Sequence, residues 1–372
     1  MKIAKVGIKG LPARFGGWET IVEEISTGLI KKGHNVTVYC RNDRVRIDRE
    51  EYRGIQLVKV PAIWSKHFGT ILHSFLCTIH ILKTDVEIVH YYTAANAIFA
   101  PLPRLFGKKV VCSVDGLDWQ RAKWEKLVKV YLKLAEYLAV YLTNGIITDA
   151  KTIEKYYLDK FKVRTTCIPC GAYVSDSTHP EWINRFGLQS KRYFLFVGRL
   201  TPENNIHHLV KAFERVRTDM KLVIVGDDPY HKAYIVSLKS TCDPRIMFTG
   251  YVYGQGYKEL NCNAYAYVFP DEVGGTHPAL VEAMGFGNCV LVNDTPSNLE
   301  VIGEAGLSYE GRNGAEDLRR EIQSLADDSD LVNSYKAKAI NRIRIYYSWD
   351  KAVEKHEKFY LAILGRRVPS GR

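Results

Sequence analysis

IAKVGIKGLPARFGGWETIVEEISTGLIKKG, residues 3–33, is the stretch on which the fold turns. An apolar run, IAKVGI, leads into a glycine-bearing loop. ETIVEEISTGLIKKG follows, with apolar residues at helical spacing and a stop at Gly33. The same order recurs along the chain. NVTVYC (35–40), IQLVKV (55–60), VEIVHYY (86–92), KVVCSV (109–114) and GIITDA (145–150) read as short strands between helical stretches. Such alternation predicts a parallel sheet with helices on both faces. The pattern breaks at THPEWINRFGLQSKR (178–192), a polar connector. It resumes with YFLFVGRL (193–200), KLVIVGDD (221–228), RIMFTGYV (245–252), AYAYVFP (264–270) and CVLVND (289–294), and ends on a helix, WDKAVEKHEKFYLAIL (349–364). The expected architecture is α/β: two doubly wound Rossmann-like domains, 1–177 and 190–347, facing a cleft. A C-terminal helix and tail, 348–372, cross back to the first. In such sheets ligands lie beyond the carboxyl ends of the strands.

Composition narrows the partners. Hydrophobic residues make up 46% of the 372 and charged ones 25%, as in a folded globular protein. Fifty-two Lys and Arg against 41 Asp and Glu leave a net charge of +11, which suits an anionic partner. No signal peptide is visible, and the longest nearly uncharged run, FGTILHSFLCTIHIL (68–82), is shorter than the roughly 20 residues of a membrane span. It is expected to be a buried or interfacial helix. Eight cysteines read as small core residues of a reducing compartment, so the expected location is cytoplasmic. Cys167 and Cys170 form a CxxC that no second pair completes as a metal site.

Three loops carry the chemistry. The first, GIKGLPARFGGWET (7–20), places Gly16 and Gly17 before a helix, where backbone N–H groups can meet a phosphate or a sugar. It is neither GxxxxGK[ST] nor GxGxxG, which weakens nucleoside triphosphate and nicotinamide readings. In VGRLTPENN (197–205), Arg199 ends a strand and can neutralise a diphosphate. In GGTHPALVEAMG (274–285), Thr276 is expected to cap a helix begun by Pro278, with Gly274 and Gly275 baring the backbone. That makes an anion site, and Glu282 further along is suited to a ribose diol. DSD (328–330) and the His207–His208 pair are read as helical-segment residues and not as metal ligands.

Together VGRLTPENN, GGTHPALVEAMGFGNCV (274–290) and the GG loop resemble the retaining glycosyltransferases of GT-B architecture. ARFGGWET (13–20) and VDGLDWQRAKW (114–124) are similar to a rhamnosyltransferase-like branch of that family. The resemblance spans nearly the whole chain. It implies that the first loop and Arg199 hold the diphosphate and that Glu282 holds the ribose. In the broad family a glutamate that grips the donor sugar stands at the position of Gly274, a lysine at Asn204, and a histidine at Asp115. The narrower branch shares these changes, which implies an unusual donor.

The resulting expectation is a metal-independent glycosyltransferase that retains anomeric configuration and needs no cofactor. It would move a sugar, L-rhamnose from dTDP-rhamnose first, to a saccharide or lipid-linked acceptor in cell-surface polysaccharide synthesis. Asp115, Arg199 and Glu282 are the expected catalytic residues. Donor contacts fall to Gly16, Gly17, Arg199, Asn204, Asn205, Gly275, Thr276, His277 and Glu282, and acceptor contacts to Arg14, Asp118, Trp119 and Arg121. The basic amphipathic helix that follows Arg121 would face an anionic membrane on its inner side. Nucleic acid is not an expected partner. Hexosyl or N-acetylhexosaminyl transfer from UDP or GDP, and a noncatalytic nucleotide-sugar-binding protein, are the competing readings.

Overall fold

The computed structural model describes residues 1–13, 16–42, 49–62, 68–120, 124–175 and 180–367, excluding the side chains of Phe68 and Asp118. They form two compact units, Met1–Cys170 with Trp349–Arg372, and Gly171–Ser348. The first unit holds strands β1 Lys2–Val6, β2 Asn35–Arg41, β3 Glu51–Tyr52, β4 Ile55–Val60, β5 Ile88–Tyr92, β6 Lys109–Val114, β7 Gly145–Thr148 and β8 Thr166–Cys167. They make one sheet in the order β3-β4-β2-β1-β5-β6-β7-β8, parallel except for the β3/β4 pair. Helices α1 Gly17–Lys31, α2 Phe68–Leu82, α3 Pro101–Leu105, α4 Lys126–Leu142 and α5 Lys151–Phe161 lie between strands.

The second unit begins with helix α6, Glu181–Arg185. Its sheet contains β9 Tyr193–Val197, β10 Lys221–Val225, β11 Ile246–Gly250, β12 Ala266–Phe269, β13 Cys289–Asn293 and β14 Leu307–Tyr309. All pair in parallel, in the order β11-β10-β9-β12-β13-β14. The helices are α7 Ile206–Phe213, α8 Lys232–Leu238, α9 Gly254–Cys262, α10 Pro278–Gly285, α11 Pro296–Ile302, α12 Ala315–Asp327 and α13 Ser329–Tyr346. The last helix, α14 Trp349–Ile363, belongs to the first unit, where Val353 meets Gly28 of α1. Every residue of β12 and β13 is buried, as central strands covered on both faces require.

In each sheet the strand order reverses once. β1 lies between β2 and β5, and β9 between β10 and β12, so the loops leaving those strands run to opposite faces and open a crevice at their carboxyl ends. The connector read as polar between the two patterns contains α6. Five residues carry too little periodicity to mark a helix, and tertiary contacts hold it. The Trp182 N–H donates to Glu259 at 2.6 Å, and Arg185 covers the Trp182 ring at 4.7 Å. The run 68–82 is helical; it buries Cys77 and Ile81 while leaving Phe75 and Ile79 exposed. Among the described residues no helix is long and apolar enough to cross a membrane.

The face of the first sheet that meets α14 is polar inside. His90 pairs with the Tyr360 hydroxyl and with Ser113 Oγ, both at 2.7 Å, and His356 Nδ1 donates to the Ala352 carbonyl at 2.8 Å. Lys5, opposite His90 in the β1/β5 register, is fully buried, and its ammonium has no hydrogen-bond partner among the described residues. Burial lowers its pKa from 10.5 to about 7. The unfolded chain therefore binds more protons between pH 7 and 10.5, and the Lys5 contribution to stability rises with pH across that window. Burial, then the Lys5 charge, lowers His356 to about 3, so stability is lost as pH falls from 6.5 towards 3. Lys5→Met is expected to stabilise the protein by about 3 kcal/mol at pH 7, a gain that shrinks as pH approaches 10. Urea unfolding at both pH values checks this, and an unchanged or lower midpoint at pH 7 refutes it.

Candidate active site

In the second unit both loops at the strand-order reversal carry expected site residues. The loop after β9 presents Arg199, exposed and without a side-chain hydrogen bond or ion pair among the described residues. Beside it stand Tyr251 and Tyr253, each about half exposed, their rings stacked at 5.8 Å. Burial, then Tyr253, pushes the Tyr251 phenol up to about 12, while the Arg199 cation acts to lower it. Asn204 and Asn205 are buried and act within the loop. The Asn204 amide donates to the Arg199 carbonyl at 2.9 Å, and that of Asn205 to the Pro270 carbonyl at 3.1 Å. Their amide donors thus brace the loop. Sequence reading missed Glu203, a buried carboxylate in this loop with neither oxygen hydrogen-bonded among the described residues.

The loop after β12 runs into α10. Thr276 is not the cap: His277 holds that position, and its side chain makes no capping bond. Thr276 lies one residue too early and is buried. Nor is there a gap at Gly274. With φ +153, a Cβ there would lie 2.3 Å from His277 Nε2, so the imidazole fills the space. Glu282 sits within α10, and the Tyr257 hydroxyl of α9 donates to its Oε2 at 2.6 Å. Burial, then the Glu282 charge, raises Tyr257 well above its ordinary range. Tyr257 thus fixes the orientation of the carboxylate. No local pattern signals it, because it lies 25 residues away on another helix.

In the first unit, Gly7 turns the chain sharply after β1. Its φ is +108, and a Cβ would come within 2.6 Å of the Tyr92 carbonyl. Two carboxylates of α1 hold the loop: Glu19 accepts from the Lys9 N–H at 3.0 Å and Glu23 from the Ala13 N–H at 2.8 Å. Gly16 and Gly17, at the start of α1, are exposed. Arg14 and Arg121 lie outside the described residues.

Asp115 follows β6, half-buried, in a hollow also lined by Ala94, Gly116, Leu132 and Glu136. Glu136 accepts from Tyr156 at 3.0 Å and pairs with Lys160 at 3.2 Å; burial nonetheless raises its pKa. Asp118 opens a short 3-10 turn with Trp119, whose ring carries the Lys133 ammonium at 4.6 Å. Trp119 is thereby engaged by α4. The outer side of α4 exposes Leu127, Val130, Leu134, Tyr137 and Tyr141 at helical spacing.

The remaining polar motifs have local roles. Asp328 caps α13 by accepting from the Leu331 N–H at 2.8 Å. His207 and His208 lie in the first turn of α7, and the ring of His207 meets the Tyr234 hydroxyl at 3.0 Å. Cys167, half-buried, and Cys170, buried, are thiols not joined in a disulfide. Among the described residues no group of three or more His, Cys, Asp or Glu is placed to hold a metal ion.

Known proteins share sequence and fold with this chain. Residues 191–328 match the model described as "Glycosyl transferases group 1", and residues 1–173 one described as "Domain of unknown function (DUF1972)". An uncharacterized glycosyltransferase of Methanocaldococcus jannaschii is 26% identical over 98% of this chain and 100% of its own. O-antigen chain mannosyltransferase C of Escherichia coli is 21% identical over 98% and 99%. A Campylobacter jejuni 4-alpha-N-acetylgalactosaminyltransferase, named for a diphospho-undecaprenol-linked substrate, is 26% identical over 71% and 73%. Among solved structures, Anabaena HepE in complex with UDP and glucose superposes with a TM-score of 0.80 at 14% identity, covering 97% of this chain and 100% of that one. The chain is a glycosyltransferase of GT-B fold, and its second unit resembles the group 1 glycosyl transferases over residues 191–328.

Proposed function

We propose that the protein transfers a hexosyl or N-acetylhexosaminyl group from a nucleoside diphosphate sugar to a saccharide on a lipid carrier, in cell-surface polysaccharide synthesis. The observation that carries this is the pair of loops at the reversal in the second sheet. One offers the exposed Arg199 guanidinium, the other the backbone of 274–277, with Glu282 held by Tyr257 on the following helix. A diphosphate leaving group gathers negative charge as the glycosidic bond breaks, and a fixed cation with backbone amides stabilises that charge. Glu282 accepts ribose hydroxyls. Gly16, Gly17 and Asp115 are assigned to the sugar and the acceptor, with the anomer retained. These positive groups take the place of a metal ion.

Relatives support a hexose over rhamnose. Those named for a sugar carry mannose or N-acetylgalactosamine. The rhamnose expectation drew on glycine at 274 in place of the family's glutamate, and the His277 ring fills the space beside that position. The test is nucleoside diphosphate release by the full chain with a polyprenyl-diphosphate-linked saccharide. GDP-mannose, UDP-N-acetylgalactosamine, UDP-glucose and dTDP-L-rhamnose are compared, with and without EDTA. Turnover of a hexose donor that persists in EDTA is expected. Activity with dTDP-L-rhamnose alone overturns the sugar assignment, and loss in EDTA with recovery in Mg²⁺ overturns the metal-free one.

Two further outcomes follow from the same geometry. Glu282→Ala should weaken nucleotide binding by about 1.5–3 kcal/mol, and Tyr257→Phe by about 0.5–1.5 kcal/mol. Calorimetric titration with UDP and GDP measures both, and unchanged affinity in Glu282→Ala excludes the ribose role. The apolar stripe on α4, bordered by Lys126, Lys129 and Lys133, supports docking on an anionic membrane. Co-sedimentation should rise with anionic lipid, fall with salt, and drop in Leu127→Ser/Leu134→Ser. Equal partition onto neutral and anionic vesicles counts against it.

A further inference from the structure

Strands β1, β5 and β6 lie side by side in the first sheet, and the chain leaves each of them through a residue at positive φ. Gly7, φ +108, follows β1; Thr93, φ +69, follows β5; and Gly116, φ +120, comes just beyond β6. Two of these turns use the residue that takes such a conformation freely, and the third uses a β-branched one. Five side-chain-bearing residues stand at positive φ among the described residues, and Thr93 is the β-branched one. Its ψ of 139 also puts it outside the left-handed helical well that Lys162 and Asn205 occupy at ψ 28.

The surroundings enforce this conformation. The Thr93 N–H donates to the Ser113 carbonyl of β6 at 2.9 Å, and the Thr93 carbonyl accepts the Asn96 N–H at 3.2 Å. Asn96, fully buried, donates its side-chain amide to the Tyr92 carbonyl at 2.6 Å. Gly7 passes so close that a Cβ on it would lie 2.6 Å from the same carbonyl. Strain of this kind persists where packing over-determines it, and it collects at sites where a group must be held in place. The side chain, by contrast, has little to do within the fold. Threonine is favoured ahead of a helix because its hydroxyl caps, yet Thr93 precedes the 3-10 segment Ala94–Phe99 without a capping bond. Its Oγ1 accepts one long bond, 3.4 Å, from the Asn96 amide, which leaves the hydroxyl proton to donate. Thr93 is half-buried, and its neighbour Ala94 lines the hollow shared by Asp115 and Glu136.

We propose that the Thr93 hydroxyl is an acceptor contact, donating to a hydroxyl of the incoming saccharide, and that the strained turn sets it there. This rests on assigning the acceptor to the first unit. β5 stands between the strands that lead to the Gly16–Gly17 loop and to Asp115. A sugar lying across the carboxyl ends of those strands passes over Thr93. Glycine would make the same turn without strain, so a side chain kept there at a cost in stability is explained by contact with a ligand.

Three variants of the full chain test this. Thr93→Val keeps the branch and removes the hydroxyl, Thr93→Ser keeps the hydroxyl, and Thr93→Gly releases the turn. KM and kcat for a polyprenyl-diphosphate-linked saccharide are measured at saturating donor, with UDP and GDP titration and urea unfolding on the same proteins. Thr93→Val is expected to raise the acceptor KM about tenfold and Thr93→Ser to stay within about threefold of wild type, with nucleotide Kd held within about twofold throughout. Thr93→Gly is expected to unfold at no lower urea than wild type and still to lose as much acceptor affinity as Thr93→Val. A wild-type acceptor KM in either Thr93→Val or Thr93→Gly overturns the proposal. So does a nucleotide Kd that weakens in step with the acceptor KM, since Thr93 would then be a prop for the sheet edge. A wild-type protein that binds nucleotide but transfers nothing to the lipid-linked saccharide removes the acceptor assignment itself, and this proposal with it.

Discussion

Parallel pairing on both sides of β1 and of β9 is the constraint from which the rest follows. A parallel neighbour cannot be reached by a tight turn, so each strand must be followed by a crossover that packs on the sheet. Where the order reverses, successive crossovers lie on opposite faces, and the loops at the strands' carboxyl ends part. In the second unit those loops carry Arg199 and the 274–277 backbone. The proposed donor site is assigned to that opening.

Around that opening, the structure spends its polar side chains on fixing the loops. Asn204 and Asn205 brace the Arg199 loop through carbonyls, and Glu19 and Glu23 hold the first loop through backbone N–H groups. Tyr257 orients Glu282. A leaving diphosphate is stabilised by groups that need not move when its charge develops, and braced loops supply that. The cost appears in isolated polar atoms. Among the described residues, neither Glu203 oxygen nor the buried Lys5 ammonium has a hydrogen-bond partner. Buried groups of that kind are expensive unless a partner offsets them.

The two units differ in how closely their candidate residues gather. In the second, Arg199, the 274–277 backbone, Glu282 and Tyr257 belong to one sheet edge and its adjoining helices. In the first, Asp115 shares a hollow with Glu136, and Trp119 is covered by Lys133, so the segment after β6 is organised by α4. The same helix carries an exposed apolar stripe on its outer side. One helix therefore joins the ordering of the Asp115 segment to an exposed apolar face of that unit.

Apolar runs and their spacing determined the strands, the longer helices and the doubly wound class, because burial on both faces of a parallel sheet leaves a signature in consecutive residues. The positions of Arg199 and Gly274 in loops and of Glu282 in a helix were legible for the same reason, being counted from strand and helix ends. What the sequence left undecided depended on contacts between distant residues. Nothing in the spacing joins Tyr257 to Glu282 across 25 residues, or shows that α6 is helical because Glu259 receives the Trp182 N–H. The reading of Thr276 as a cap failed because α10 starts one residue later than the local pattern suggests. His277 takes the cap position in the backbone and folds its ring over Gly274. Local sequence assigns residue types to a loop, and only packing decides which side chain occupies which volume.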